Sequence, residues 1–485
     1  MDATEILRNY IGGAWIEASS GQALPVENPA SGDIVGQVPL SGPSDVARAV
    51  TVAKEALWTW RRVPAVQRAR TLFRFKNLLE KNFEDLARIV TIDNGKTLDE
   101  SRGEIRRGIE NVAHACAIPQ LMMGTALEDA QAGIDCESFR QPVGVFAAIT
   151  PVCSPAMVPL WFMPYAVGTG NTFILKPSER VPLVHSLLFE LAHGAGFPAG
   201  VVNLVHGDRE AARALIDHPD VAGVSFVGTG AAAEEVYREA AARGKRVQAF
   251  GGAHNYSVVM PDADLDRTVD VLIDGSFGCS GQRCLAGSVV LAVGDIYDAL
   301  RDRLVAAAGK ITVGPGLEPG VDMGPLSSGR HLDRVLSLLH SAEAEGAVLA
   351  LDGRGKRVAG SPGGHFLSPT IVCEAQATAV LAREEVFGPV MVLGRASDLD
   401  HAVALIEAAP RSGSASLFTQ SGRFAREFRR QSSLGVVGVN VGMAQPMAFF
   451  PFGGAKGSFY GDLKAQGEDA IRFFTDAKVV ISRWF

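Results

Sequence analysis

Cysteine is scarce and scattered in this chain: six in 485 residues, at positions 116, 136, 153, 279, 284 and 373. So few thiols make no disulfide framework, and they point to a reducing compartment, with the cytoplasm as the expected location. Runs of one charge sign are missing as well. The 46 basic and 53 acidic residues are spread along the chain and sum to −7. That excludes a nucleic-acid-binding block and a solvating acidic tail. The opening stretch MDATEILRNYIGG has early acids and no apolar core, so it does not read as a signal peptide. One long uncharged run lies between Arg140 and Lys176, but Pro142, Pro151, Pro155, Pro159 and Pro164 interrupt it. A helix in lipid would leave too many backbone groups unsatisfied there. A buried strand–helix–strand is expected instead, with no membrane contact. Short repeats, low-complexity tracts and long linkers are also absent.

What is present reads as globular. Hydrophobic residues make up 47% of the chain and charged residues 20%, enough for a sizeable core divided over two or three domains at ~100–200 residues each. Residues 42–120 carry apolar residues at helical spacing, with Ser44 as the expected N-cap of the first helix and Gly95 as a C-cap. Then the pattern changes to short apolar runs at 143–151, 171–177, 201–207 and 221–228. The helical segments 155–168, 182–195 and 209–217 lie between them. Strands alternating with helices predict βαβ units and a parallel sheet. A second set begins after VQAFGG (247–252) and includes 368–374 and 390–409, so two α/β domains should meet near residue 250. The segments 137–145 and 477–485 read as extended edges, paired either within the chain or with another subunit.

Three stretches carry chemistry. SFVGTGAAAEEVYREAAA (225–242) is strand, Gly228-Thr229-Gly230, then helix. Bare N–H groups at such a helix start attract phosphate, but Ala233 breaks the full G-x-G-x-x-G fingerprint, and a tight turn explains it equally. ILKPSER (174–180) places Lys176 and Glu179 at a strand end, where α/β sheets bind ligands. A carboxylate there accepts from ribose hydroxyls and repels a 2′-phosphate; the alternative is a solvated loop. GCSGQRCLAG (278–287) holds two thiols. C-x-x-x-x-C is not a zinc spacing and no histidines cluster nearby, so no metal is expected. Arg283 would lower the pKa of Cys284 if its guanidinium points that way. Cys279 reads as a small core residue.

Several stretches together resemble the aldehyde dehydrogenase superfamily: ITPVCSPAM with PYAVGTGNTFILKPSE, GVSFVGTG, GQRC, EEVFGPV (384–390) and FPFGGAKGSFYGD (450–462), in that order over nearly the whole chain. GQRC, SFYGDLKAQGEDAIRFFT and RRGIENV (106–112) are similar to the CoA-acylating, methylmalonate- or malonate-semialdehyde branch. The resemblance implies an α/β fold of three parts. These are a Rossmann-like NAD domain (1–122 and 142–250), an α/β catalytic domain (251–462) and a small β oligomerisation element (123–141 and 463–485) that builds a homodimer or homotetramer. It implies Cys284 as nucleophile and NAD as cofactor, held by Lys176, Ser178 and Glu179 at the adenosine ribose, Thr229 at the pyrophosphate, and Glu385 and Phe387 at the nicotinamide end. It implies Arg107 and Arg283 as ligands of a substrate carboxylate, and CoA as acyl acceptor.

Two positions depart from that pattern. Cys153 stands where the family has an asparagine that helps hold the oxyanion, and a thiol is a weak donor. Phe250 stands where hydrolytic members have a glutamate base, which favours a thiol over water as acyl acceptor and places a bulky ring beside the nicotinamide. His254, at the usual lysine position, is expected to be structural. If Cys153 and Phe250 change the chemistry, the alternatives are oxidation of another electrophile or an NAD-binding homologue without turnover.

Overall fold

The structure is a computed structural model and describes residues 4–373 and 380–485. Two large sheets and one small one organise it. The first runs, from edge to edge, Phe459–Tyr460, Arg246–Phe250, Val221–Val227, Val145–Ile149, Thr172–Lys176, Val202–Leu204, Asn9–Ile11 and Ala14–Ile16. Its five middle strands are parallel. Val145–Ile149 and Thr172–Lys176 are buried at every residue, which is why they read as unbroken apolar runs rather than alternating ones. The second sheet runs Val348–Leu351, Thr370–Cys373, Val390–Ala396, Val289–Val293, His254–Val259, Ser412–Phe418 and Val436–Val439. Strand Arg246–Phe250 lies in the first sheet and His254–Val259 in the second, with Gly251-Gly252-Ala253 between them in the chain. The expected alternation of strands and helices, giving mostly parallel sheets, is what the chain builds.

Three local expectations need correction. The first helix spans Pro43–Trp60 and its cap is Gly42, not Ser44. Pro43 has the helical φ preset. The Asp45 carboxylate accepts from Gly42 N–H (3.4 Å), while Ser44 Oγ is taken up by Ser19 Oγ at 2.8 Å. The helix expected over 155–168 begins only at Pro159, which has no N–H to give to the carbonyl four residues back and crowds it with its ring. Finally, 137–142 is no edge. It lies in the middle strand of the three-stranded sheet, Ile134–Pro142, paired antiparallel with Thr125–Gln131 and, over nine residues, with Thr475–Arg483. Val479 and Ile481 on that last strand are 65% and 68% exposed, so its apolar side has no cover among the described residues.

Helix Phe83–Asn94 does end at Gly95, as expected, in the left-handed conformation with φ +94°. A Cβ there would come within 2.6 Å of Pro325 Cγ and 2.8 Å of Pro29 Cγ. Both the backbone conformation and the space demand glycine. Gly95→Ala is expected to cost about 1–3 kcal/mol or more, measured as a lowered denaturation midpoint at unchanged m-value.

Candidate active site

The nucleophile loop follows helix Leu265–Phe277. Cys279 and Ser280 both adopt positive φ, +50° and +56°, a pair of left-handed residues that persists only where the surroundings force it. Cys279 N–H donates to the Glu100 carboxylate and Ser280 Oγ donates to Gly324 O at 2.7 Å. On the far side of the loop, the buried Asn255 amide donates to Cys284 O (2.9 Å) and Ala286 O (3.1 Å). Its Oδ1 accepts from the Ser414 N–H and hydroxyl, each at 3.0 Å. Cys284 is thereby tied to the middle of the second sheet. Burial pushes its thiol up to about 11, the Glu385 carboxylate adds to the rise, and the backbone N–H groups of Cys284 and Leu285 work against it.

The Arg283 charge lowers the Cys284 pKa, as expected from the sequence, though by less than burial raises it. Its guanidinium bonds elsewhere: Nε donates to Cys279 Sγ at 3.2 Å, and its Nη atoms lie 3.6 Å from Glu100 and 3.7 Å from Asp274. With all these partners Arg283 braces the loop and is not turned out as a carboxylate ligand. Arg107 is different: partly exposed on helix Leu98–Ala115, with Nη1 against Met447 Sδ (3.5 Å) and 3.6 Å from Glu110.

Cys153 is 7% exposed, and its thiol is raised by burial, then by the neighbouring Cys284 thiol. The structure therefore brings residue 153 close to Cys284. Its carbonyl accepts from Lys96 Nζ at 2.7 Å. Phe250 is a core residue, not a participant. Its ring is 4% exposed and stacks among Phe162, Phe452 and Phe459 at centroid distances of 6.2, 6.0 and 4.9 Å. A side chain directed into that aromatic cluster offers the reaction no donor or acceptor. His254 is buried, which depresses its pKa, and its place in the second sheet is structural.

The cofactor-side residues gather at the ends of the first sheet. Lys176 Nζ lies 3.3 Å from Glu179 and burial lowers its pKa. Ser178 Oγ accepts from Arg180 N–H at 3.3 Å. Thr229 caps helix Gly230–Ala242 by accepting from Ala232 N–H at 3.4 Å. The Arg411 guanidinium packs so close to Gly230 that a Cβ there would lie 3.1 Å from its Cζ. A helix N-terminus with an arginine beside it suits a pyrophosphate. Glu179 suits ribose hydroxyls, so these residues fit NAD. Phe387 has φ +54°, and its carbonyl accepts from His331 Nε2–H at 2.7 Å. Arg334 donates to the carbonyls of Glu385 (2.7 Å) and Val386 (3.0 Å). The Glu385 carboxylate docks on Ala253 N–H at 3.2 Å, in space that exists only because residue 252 has no Cβ.

Sequence reasoning missed Lys96, Glu104, Asn255, His331, Arg334 and Arg411. One signal was available. Ser101, Ile105, Gly108, Ile109 and Val112 form the buried face of helix Leu98–Ala115, and Glu104 falls on it. A carboxylate on an apolar stripe must have a buried partner.

The chain belongs to the aldehyde dehydrogenase family, whose model matches residues 15–480. Within it, the chain is 47% identical to malonate-semialdehyde dehydrogenase 2 of Geobacillus thermodenitrificans, over the full length of both. Among solved structures, it superposes with a TM-score of 0.97 on methylmalonate-semialdehyde dehydrogenase (DddC) from Oceanimonas doudoroffii, 41% identical and covering 99% of this chain and 98% of the other. A provisionally named methylmalonate-semialdehyde dehydrogenase from Sinorhizobium meliloti 1021, complexed with NAD, gives 0.98 at 40% identity, with the same coverage.

Burial pushes the Glu385 carboxyl up to about 7 from an ordinary 4.5. The folded protein holds that proton more tightly than the unfolded chain. Its contribution to stability is therefore full below the unfolded value and is lost as pH rises through about 7. Relative to Glu385→Gln, the wild-type melting temperature should fall between about pH 5 and about pH 8. The same substitution removes a negative charge beside Cys284, so the thiol should titrate below the wild-type midpoint in an iodoacetamide rate–pH profile.

Proposed function

We propose that this protein oxidises malonate semialdehyde or its methyl homologue with NAD and passes the acyl group to CoA. The observation that carries this is Cys284 held in its loop by Asn255, with residue 153 beside it and the cofactor-side residues in place, in a chain 47% identical throughout to a malonate-semialdehyde dehydrogenase. Bound NAD supplies the hydride acceptor. Lys176, Ser178 and Glu179 hold its adenosine ribose, Thr229 and Arg411 its pyrophosphate, and Glu385 and Phe387 its nicotinamide end. The Cys284 sulfur adds to the aldehyde carbon and loses its proton. The backbone N–H at Cys284 donates to the resulting oxyanion, and loss of hydride leaves a thioester on Cys284. Arg107 is the cation available for the substrate carboxylate, because Arg283 is engaged in the loop. With an aromatic core at position 250 no carboxylate base activates water there, so the CoA thiol is the acceptor. The protein works in the cytoplasm; no described helix is long and apolar enough to cross a membrane.

The expected result is NADH formation from malonate semialdehyde that requires CoA, with acyl-CoA formed one for one and Cys284→Ala inactive. No NADH at saturating NAD and CoA would sink the reading. Cys153 gives the runner-up its one foothold: a site that lacks an oxyanion donor suits an electrophile that develops less charge. Cys153→Asn separates the two. A gain in aldehyde oxidation approaching ~10²-fold is expected if only the donor is missing. An unchanged rate, with turnover of an imine instead, favours the runner-up.

The uncovered side of strand Thr475–Arg483 is the contact between subunits of a homodimer or homotetramer. Burying Val479 and Ile481 in a partner removes apolar surface from water. The double change Val479→Asp, Ile481→Asp is expected to shift the sedimentation coefficient to that of a monomer.

A further inference from the structure

Two carboxylates on one face of helix Leu98–Ala115, Glu100 and Glu104, reach two different loops. Glu100 Oε1 accepts from Cys279 N–H and lies 3.6 Å from Arg283, the residue before the nucleophile; Oε2 accepts from Thr97 N–H at 2.9 Å. One turn on, Glu104 Oε1 accepts from Ala156 N–H (2.8 Å) and Met157 N–H (3.1 Å). Its Oε2 is 2.6 Å from Lys96 Nζ, and Lys96 donates to Cys153 O at 2.7 Å. The Lys96 and Glu104 side chains are 3% and 4% exposed. The backbone around residue 153 is thus gripped on both sides, at its carbonyl and at the N–H groups three and four residues later. The 278–284 loop, with its two left-handed residues, is gripped by the carboxylate one helical turn earlier. The two loops belong to different sheets. Their contacts with this helical turn fix residue 153 relative to Cys284.

We infer that Glu100 and Glu104, with Lys96, are positioning residues that set the register between the Cys284 loop and the segment that carries Cys153 against it. Neither glutamate touches substrate. Each holds backbone, and the alignment of the Cys284 sulfur and backbone N–H with the reacting carbonyl is the product of both grips. A misplacement of about 1 Å between reacting groups is enough to cost about 10²-fold in rate. This rests on the reading of Cys284 as nucleophile, and its test uses neither NAD, CoA nor semialdehyde.

The test compares two reactions of one thiol. With p-nitrophenyl acetate, the Cys284 sulfur bonds to the ester carbonyl carbon, passes through a tetrahedral oxyanion, and expels nitrophenolate; the thiol proton goes to solvent. With iodoacetamide, the sulfur displaces iodide and no oxyanion forms. The ratio of acylation to alkylation rates therefore isolates oxyanion alignment from thiol reactivity and from the folded fraction. Glu100→Gln and Glu104→Gln are each expected to lower that ratio by about tenfold or more. Lys96→Met should lower it as well, since Cys153 O loses its donor and Glu104 its counter-charge. The double glutamine variant should fall no further than the worse single one, because one alignment can be lost only once. A ratio within about twofold of wild type in either single variant, or a loss in the double that equals the product of the singles, overturns the shared role. Cys284→Ala is the control: undiminished nitrophenolate release in that variant, or none in wild type, removes the nucleophile and the inference together.

Discussion

The ion pair between Lys96 and Glu104 is the interaction on which the arrangement of the site depends. Taking two charges out of water costs several kcal/mol per ion, and Coulomb attraction alone does not restore it. Here the remaining hydrogen-bonding capacity is spent on backbone: one carbonyl and two N–H groups around the turn that carries Cys153. Those N–H groups belong to the turn that leads into helix Pro159–Gly168, and the Glu104 carboxylate satisfies them. The pair is therefore not an ornament of the core. Gly95 belongs to the same construction, since its left-handed cap turns the chain so that Lys96 enters the interior.

The chemistry inherits this rigidity together with an electrostatic problem. Cys284 is enclosed and has a carboxylate for a neighbour, and the guanidinium next to it in sequence bonds elsewhere. Burial and the Glu385 carboxylate oppose thiolate formation, while the backbone N–H groups of Cys284 and Leu285 and the Arg283 charge favour it. The Glu385 carboxyl is itself pushed toward neutrality by burial.

Much of the fold was legible in the sequence because burial on both faces leaves strands as unbroken apolar runs. The alternation of those runs with amphipathic helices could be read directly, as could the Gly95 cap and the passage from the first sheet to the second after Phe250. The family motifs located Cys284, Lys176, Glu179 and Glu385. Contacts that depend on side-chain direction or on distant partners were not legible. Nothing local to GQRC says that Arg283 turns toward Cys279. Nothing in NGK says that its lysine ends on a carbonyl 57 residues away. Ser44 was a sound cap candidate that lost to Gly42, and Phe250 could be placed in the aromatic core only once Phe162 had converged with Phe452 and Phe459 from two separate segments.

The nine-residue pairing of Thr475–Arg483 with Ile134–Pro142 has a consequence for how the molecule is made. Its partners, such as Pro142 and Thr475, are roughly 330 residues apart in the chain. At ~5–20 residues per second of synthesis, the middle strand waits roughly 20–70 s on the ribosome for its neighbour. The first sheet needs no strand beyond Phe250 for its parallel core, and the second is complete by Val439. Both α/β units can thus be folded before the apolar ribbon exists. A subunit contact through this ribbon, as proposed, can therefore form only after both α/β units have been synthesised.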